Sequence, residues 1–524
     1  MYLRRTRLHC LTLLLTLNVA AAKADESKIL KLNLRFRVET ADGSGNFHAL
    51  TKPAHWNSKE TAVVICDMWD KHWCRGATRR VGEMAPRMNE VVRALRNKGA
   101  LIIHAPSSTM DHYKNTPQRK LALQAPKVET KIPLQGWCHL DKAREGNLPI
   151  DDSNGGCDCE PRCKGYAAWS SQIAAIEIGE GDAITDDAHA YYLMRQRGIK
   201  NVIVMGVHTN MCVLGRPFSI RQMIYQGQNV ALVRDLTDTM YDPRSKPFVS
   251  HFTGTDYVVE HIERHWGPTL TSADLIGGKE LRFRNDKRPH LAIVMAEQEY
   301  QTDRTLPVFA RHHLGKYFRV SYVFAGTKDR NNLPGVDVLD QADIALFSVR
   351  RRTPPKKQLD AIRRFVAAGK PVVGIRTSSH AFALRGGQQP PKGHDHWPQF
   401  DAQVFGGSYH LHHGNNKPGD PPTMVWPQPG AESHPILAGI PEGEFRVVSW
   451  LYKTEPLGPK TKLLLMGRVG NRTPHEPVAW TNTHVGGGRA FYTSLGHPKD
   501  FEEERFQKLL LNGIHWAAGK IAKK

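Results

Sequence analysis

Short apolar runs rich in β-branched residues alternate with longer amphipathic stretches along most of the chain. One run covers residues 61–66 and delivers Asp67; another is Leu101, Ile102 and Ile103; a third is Val202, Ile203, Val204 and Met205; a fourth covers 229–235 and ends in Asp235. Each is too short for a helix and lacks alternation, the signature of a strand buried on both faces. A helix is expected over about 85–98, with Met88, Val91, Val92 and Leu95 on one face and Gly99 as the stop. Residues 174–178 predict a further strand, and Asp186 or Asp187 predicts the cap of a helix that runs through Arg197 to Gly198. Residues 30–39 alternate apolar and polar positions, as in a strand with one wet face. Repeated strand-then-helix order implies a parallel sheet covered on both sides.

The pattern lapses over 268–289, the expected linker, and restarts at His290. Strands are predicted at 290–296, 320–324, 344–349 and 371–375. Thr353 and Pro354 open a helix that Gly369 closes. The fold class is therefore α/β, two doubly wound parallel-sheet domains at 25–267 and 290–524. Residues 110–168 lose periodicity and are dominated by Pro, Gly, Asp and Cys, which predicts a long insertion lying over the mouth of the first domain as a lid.

Composition changes this picture in three ways. Arg4, Arg5 and Arg7, the apolar run 11–22 and the Ala22-Lys23-Ala24 cleavage signal read as a secretory signal peptide over 1–24, so the protein is expected to be exported, periplasmic or extracellular. No later run is long enough for a transmembrane segment. The net charge of +21 raises the question of nucleic acid, but the basic residues are spread through all 524 positions without a binding motif, so no nucleic-acid role is assigned. Of the 8 cysteines, Cys10 leaves with the signal peptide. In an oxidising compartment Cys138, Cys157, Cys159 and Cys163 read first as disulfide partners, in any of three connectivities, with a zinc site second because paired C-x-x-C spacing is missing. Cys74 fits either group.

The candidate chemistry centres on Cys212, placed where the third strand ends and a helix is expected over 213–225. Unpaired N–H groups at a helix start favour thiolate over thiol. The segment Gly206-Val207-His208-Thr209-Asn210-Met211-Cys212-Val213 resembles the Gly-x-x-Thr-x-x-Cys-Val signature of the isochorismatase-like cysteine hydrolases. The strand before Asp67-Met68 and the strand ending in Asp235 are similar to that family's flanking strands, so the resemblance spans most of 60–245. It implies Cys212 as nucleophile and Asp67 as the acceptor of its proton. It also implies the backbone N–H groups of His208 and Cys212 as oxyanion donors, with a cis peptide between Val207 and His208. Trp69, Lys71, Thr209 and Asn210 become substrate-pocket candidates. The family's lysine is missing: no lysine lies between Lys164 and Lys200, and 176–182 is acidic. Three explanations stand open, a substitute cation such as Lys71 or His208, a shifted chemistry, or a site retired to binding.

The second unit carries a run from Gly374 to Phe382 containing Ser378, Ser379 and His380. With Phe405 to His410, His434-Pro435 and Gly488 to His497, it resembles the trehalose-utilisation (ThuA-like) family over about 290–520. That resemblance implies a flavodoxin-like fold of the class I glutamine amidotransferase type. No cysteine lies beyond Cys212, and a serine at the strand-to-helix turn is more often a cap than a nucleophile, so glutaminase activity is disfavoured. Ser379, His380, His410 and His497 are pocket candidates, the histidines converging on a sugar-like ligand or a divalent metal. The expected function is an exported cysteine-dependent hydrolase of a small amide or related C–N substrate, needing no cofactor and joined to a carbohydrate-related domain that admits a sugar or glycan. The alternative is a non-catalytic carbohydrate-binding or scaffold protein.

Overall fold

The computed structural model describes residues 26–414 and 417–519, so the signal-peptide span 1–24 lies outside the described residues. Eight strands form the first sheet: β1 (Ile29–Glu39), β2 (Phe47–Asn57), β3 (Thr61–Cys66), β4 (Leu101–Ala105), β5 (Ala183–Ile184), β6 (Asn201–Val207), β7 (Asn229–Asp238) and β8 (Thr269–Leu270). Their order is β2-β1-β8-β7-β6-β3-β4-β5. Strands β3 to β8 are mutually parallel, and the β1–β2 hairpin adds two antiparallel strands beside β8. Pro53, with no N–H to give, sits on the edge strand β2.

The central strands are buried on both faces because successive side chains point to opposite layers. Val63 and Ile65 pack with Met88 and Val92 of helix Arg75–Asn97, whereas Val64 and Cys66 face the layer of helices His189–Gln196 and His251–His265. Helix Arg75–Asn97 starts ten residues before its expected position and carries Pro86 inside it. Residues 174–178 are irregular, and the strand of that region is β5 instead. Gly179 and Gly181 stand just before it, and Asp182 is fixed by Arg96 and His104. The supposed linker 268–289 begins inside the first domain, since β8 joins β7 and β1 and helix Ser272–Ile276 follows with a Thr271–Asp274 capping box.

The insertion is irregular apart from short helices, but it is pinned to the body. Glu145 is buried in it, accepting from Arg221 at 2.8 and 3.0 Å and from Trp266 Nε1 at 2.8 Å, with His261 Nε2 at 2.7 Å.

The second sheet contains β9 (His290–Ala296), β10 (Arg319–Phe324), β11 (Ile344–Val349), β12 (Val372–Ile375), β14 (Thr423–Pro427), β15 (Phe445–Val447), β17 (Lys462–Val469), β18 (Glu476–Thr483) and β19 (Arg489–Thr493); β13 (Leu411–His412) and β16 (Tyr452–Lys453) pair separately. The order is β10-β9-β11-β12-β19-β18-β17-β14-β15. Five strands from β10 to β19 are parallel, and the remaining four extend the sheet antiparallel. Both domains are thus α/β with parallel-dominated centres, each extended by antiparallel strands that the sequence pattern did not reveal.

Candidate active site

Strands β3 and β6 are neighbours, and their C-terminal ends bring Asp67 and Cys212 together. The two strands approach so closely that a Cβ on Gly206 would lie 2.0 Å from the Cys66 carbonyl oxygen, so only glycine fits there. Asp67 takes a left-handed backbone conformation, φ 49°, which turns its carboxylate across the strand end. The peptide between Val207 and His208 is cis.

Asp67 is fully buried. Its Oδ1 accepts the Ser107 N–H at 2.7 Å. The other oxygen, Oδ2, lies 3.7 Å from the Nε of Arg216, and the carboxylate bears electrostatically on the Cys212 thiol. Neither Oδ2 nor that Nε closes a hydrogen bond of normal length, although both are buried.

Arg216 places a cation beside this pair, at a position the sequence reading does not single out. It bears directly on Cys212 and Asp67, while its guanidinium stands 5.5 Å from the Trp137 ring centroid. Lys71 is exposed, and burial pushes the His208 imidazole well below its ordinary range, leaving it neutral. The charged side chain set against Asp67 is thus Arg216, where the sequence reading names Lys71 or His208.

Expectation also fails on the state of the sulfur. The helix at Cys212 is only Cys212–Gly215; Arg216 and Pro217 break it before a second helix, Ile220–Tyr225. One turn carries little dipole. Burial, and then the Asp67 carboxylate, push the Cys212 thiol well above its usual range, with Arg216 opposing them. Burial likewise raises Asp67, again against Arg216. Burial and the neighbouring carboxylate therefore favour the protonated form of this sulfur.

Around the pair, Trp69 and Trp169 stack with ring centroids 4.5 Å apart, and His72 lies 6.0 Å and 5.7 Å from them. Trp69 is held by its Nε1 donation to the Ser107 carbonyl at 3.0 Å. Burial, then Arg80, lowers His72 to about 4, so this wall is uncharged near neutrality. Thr209 and Asn210 are scaffold rather than pocket. Thr209 Oγ1 pairs with Thr237 Oγ1 at 2.7 Å, and Asn210 Nδ2 donates to Asp152 at 2.7 Å, tying the insertion to the cysteine loop.

In the second domain the residue at the strand-to-helix turn is Arg376, φ 47°, not a serine. Its guanidinium donates to the carbonyls of Trp450 and Ser494 and to Tyr300 Oη, between the rings of Tyr300 and Tyr452 at 4.4 and 4.2 Å. Among the described residues no carboxylate pairs with it. Ser379 donates to the Arg376 carbonyl and accepts from Tyr492 Oη, with no base beside it. His380 is buried, 4.5 Å from the Tyr409 ring, and His497 caps a short helix while facing Tyr300 at 6.3 Å. His410 is exposed and engages the Glu455 carbonyl. The three histidines form no metal-ligand group among the described residues. What the second site gathers is positive charge: burial first, then Arg351, Arg350 and Arg376, depress His380 well below its ordinary range.

Residues 292–517 match the family model described as trehalose utilisation, ThuA. No curated protein matches the chain. Among solved structures, the chain is similar to a protein described as ThuA-like from Parabacteroides merdae, with 18% identity over 45% of this chain and 93% of that one, TM-score 0.35. It is similar also to a cysteine hydrolase from Pseudomonas syringae pv. phaseolicola, with 17% identity over 42% and 92%, TM-score 0.28. A third is an isochorismatase family protein from Burkholderia thailandensis, with 16% identity over 41% and 94%, TM-score 0.25. Both resemblances read from the sequence, ThuA-like and isochorismatase-like, recur in these matches.

Proposed function

We propose that the first domain is a cysteine-dependent hydrolase acting on a small amide or related C–N bond. The observation that carries this reading is the buried, unpartnered Asp67 Oδ2 beside Arg216, on a carboxylate that bears on the Cys212 thiol. The substrate carbonyl enters beside Cys212 against the Trp69–Trp169 wall. Sγ attacks the carbonyl carbon as its proton passes to Asp67, and the C=O electron pair moves to oxygen. The N–H groups of His208 and Cys212 receive that oxyanion. Collapse expels the amine, which takes the proton from Asp67 and leaves a thioester on Cys212. Water then attacks the thioester, giving one proton to Asp67 and thence to the departing sulfur.

Arg216 has the part that a lysine has in the resembled family. It offsets the second negative charge that would otherwise build up beside Asp67 when sulfur is deprotonated. Because burial raises both acids, proton transfer and bond formation are coupled in one step rather than separated by a standing thiolate. We further propose that the protein is exported with residues 1–24 removed, on the sequence pattern alone, and that the arginine-rich second site takes an anionic, sugar-like ligand through Arg376 and Arg351.

The test is a panel of small primary amides, N-substituted amides and ureido compounds, with amine or ammonia release measured for wild type, Cys212→Ser and Asp67→Asn. The reading requires turnover that both variants lose by at least 100-fold. Turnover that persists in Cys212→Ser moves the chemistry elsewhere. Absence of any turnover, with Cys212 inert to acylating agents, supports the binding or scaffold alternative.

A further inference from the structure

All seven cysteines within the described residues are free thiols, and they are not distributed as a disulfide framework. Cys138 lies apart, its amide bound to the Gly215 carbonyl. Cys74 takes its place in a cluster with Cys157, Cys159 and Cys163. The sulfurs of Cys74, Cys157 and Cys159 all lie within 4.8 Å of one another, and Cys74 to Cys159 is 3.8 Å. Cys163 stands beside these three rather than among the mutually close sulfurs, its Sγ accepting the Arg75 N–H at 3.5 Å next to the Gly76 N–H that Cys159 accepts at 3.2 Å. A disulfide needs about 2.05 Å. A tetrahedral ZnS4 centre with Zn–S near 2.3 Å has S···S edges of about 3.8 Å.

Backbone donors point the same way. Arg75, Gly76 and Ala77 are the first three residues of the long helix Arg75–Asn97, and their N–H groups are directed at Cys163 (3.5 Å), Cys159 (3.2 Å) and Cys74. The sulfurs of Cys159 and Cys163 thus accept from the main chain, an arrangement that stabilises thiolates and orients metal ligands. Cys74 and Cys157 are wholly buried, with Ala77 and Met240 packed on them. The one carboxylate at the cluster, Asp158, is 3.7 Å from Cys74 Sγ, and its charge is met by Arg80 at 2.7 Å. A Cβ on Gly76 would come within 2.4 Å of Asp158 Oδ1, so the helix start admits no larger residue.

We propose that Cys74, Cys157, Cys159 and Cys163 form a four-thiolate site for a structural Zn2+ ion. With all four positions taken by protein the site holds no open coordination place for chemistry. Its work is to fasten the insertion to the body. Asp158, between two of the ligands, joins Arg80, and Arg80 Nε joins the buried Asp238, which His251 also holds at 2.8 Å. Met211, next to Cys212, packs on the cysteine cluster. The ion therefore supports the loop that carries the thiol of the candidate active site, but the proposal does not depend on that site being catalytic.

The test uses the full-length protein purified without added reductant or metal, with zinc measured by elemental mass spectrometry and by a chromogenic chelator during titration with a mercurial thiol reagent. The expected result is one zinc per chain, released as the cluster thiols react, and retained in Cys138→Ser. Loss of zinc to below one-tenth equivalent is expected in Cys159→Ser/Cys163→Ser. Exchange with Co2+ should give the intense sulfur-to-metal band of tetrahedral thiolate cobalt in the unmutated chain, which keeps the test independent of how the double variant folds. The proposal is overturned by two disulfides among these four residues in non-reducing peptide maps. It is equally overturned by a metal-free unmutated chain that takes up no Co2+, or by zinc content unchanged in the double variant.

Discussion

Replacing Arg216 by methionine is the perturbation that bears most directly on how the thiol is activated. Two unit charges 3.7 Å apart interact by roughly 4 kcal/mol at an effective dielectric near 20. The Arg216 side chain is 24% exposed, so solvent screens part of this, and about 2 kcal/mol of transition-state stabilisation is a reasonable share. That corresponds to a fall of roughly 30-fold in kcat/KM. The pH profile must move as well. Asp67 acts as carboxylate, burial already raises its pKa, and Arg216 is what opposes the rise. Without Arg216 the pKa climbs further, and the acid limb of kcat/KM shifts to higher pH by about one to one and a half units. Arg216→Lys keeps the charge and should recover part of the rate and move the limb back. Steady-state kinetics from pH 4 to 9 on the best amide of the panel, with melting curves to confirm folding, decide the matter. Arg216→Met with unchanged kcat/KM and an unmoved acid limb would refute the reasoning.

Glu263 is buried against Arg35 (2.7 Å) and Arg37 (3.0 Å), and although burial pushes its carboxyl up, those two arginines and Thr269 hold it at about 2. A folded value depressed from 4.5 contributes stability that is complete above the unfolded pKa and lost as pH falls toward 2. Glu263→Gln is therefore expected to cost about 3 kcal/mol in urea unfolding at pH 7, the gap to wild type closing between about pH 4.5 and 2; a pH-independent difference would contradict this. Trp169→Ala removes one face of the aromatic wall and should raise KM by roughly 3–10-fold with little change in kcat, the size of one aromatic contact; an unchanged KM would place the substrate elsewhere. His410→Ala should leave any ligand binding by the second domain unaltered, measured by calorimetry with anionic sugars, since that imidazole is turned to the Glu455 carbonyl. Loss of binding in that variant would reinstate the converging-histidine pocket.

The parallel cores were legible because fully buried strands leave continuous apolar runs, as at 61–66 and 201–207. The antiparallel additions were harder. Strand β2 mixes Lys52, Pro53 and His55 with few apolar residues, since one edge and one face meet solvent, and its pairing partner β1 alone carries the pattern. Arg216 was invisible for a related reason. A charged residue before a proline reads as a loop, and nothing in the sequence tells that the helix from Cys212 stops after one turn and folds that guanidinium back over the strand ends. The cysteines show the limit of spacing arguments. The sequence grouped Cys138 with Cys157, Cys159 and Cys163, whereas the sulfurs that the fold brings together are those of Cys157, Cys159 and Cys74, the last from a helix start more than eighty residues earlier, and Cys138 packs elsewhere. The fused signals of fold were thus local, whereas the cation and the Cys74 thiol depend on which ends the sheet brings side by side.

The claim on which the functional reading stands is that Cys212 is acylated with Asp67 as its base. Mixing the full chain with p-nitrophenyl acetate and following the first turnover measures it. The account predicts a burst of one p-nitrophenolate per chain, with the acetyl group mapped by peptide mass spectrometry to Cys212, and no burst in Asp67→Asn. An acetyl group carried by another residue, or a burst undiminished in Asp67→Asn, would contradict it.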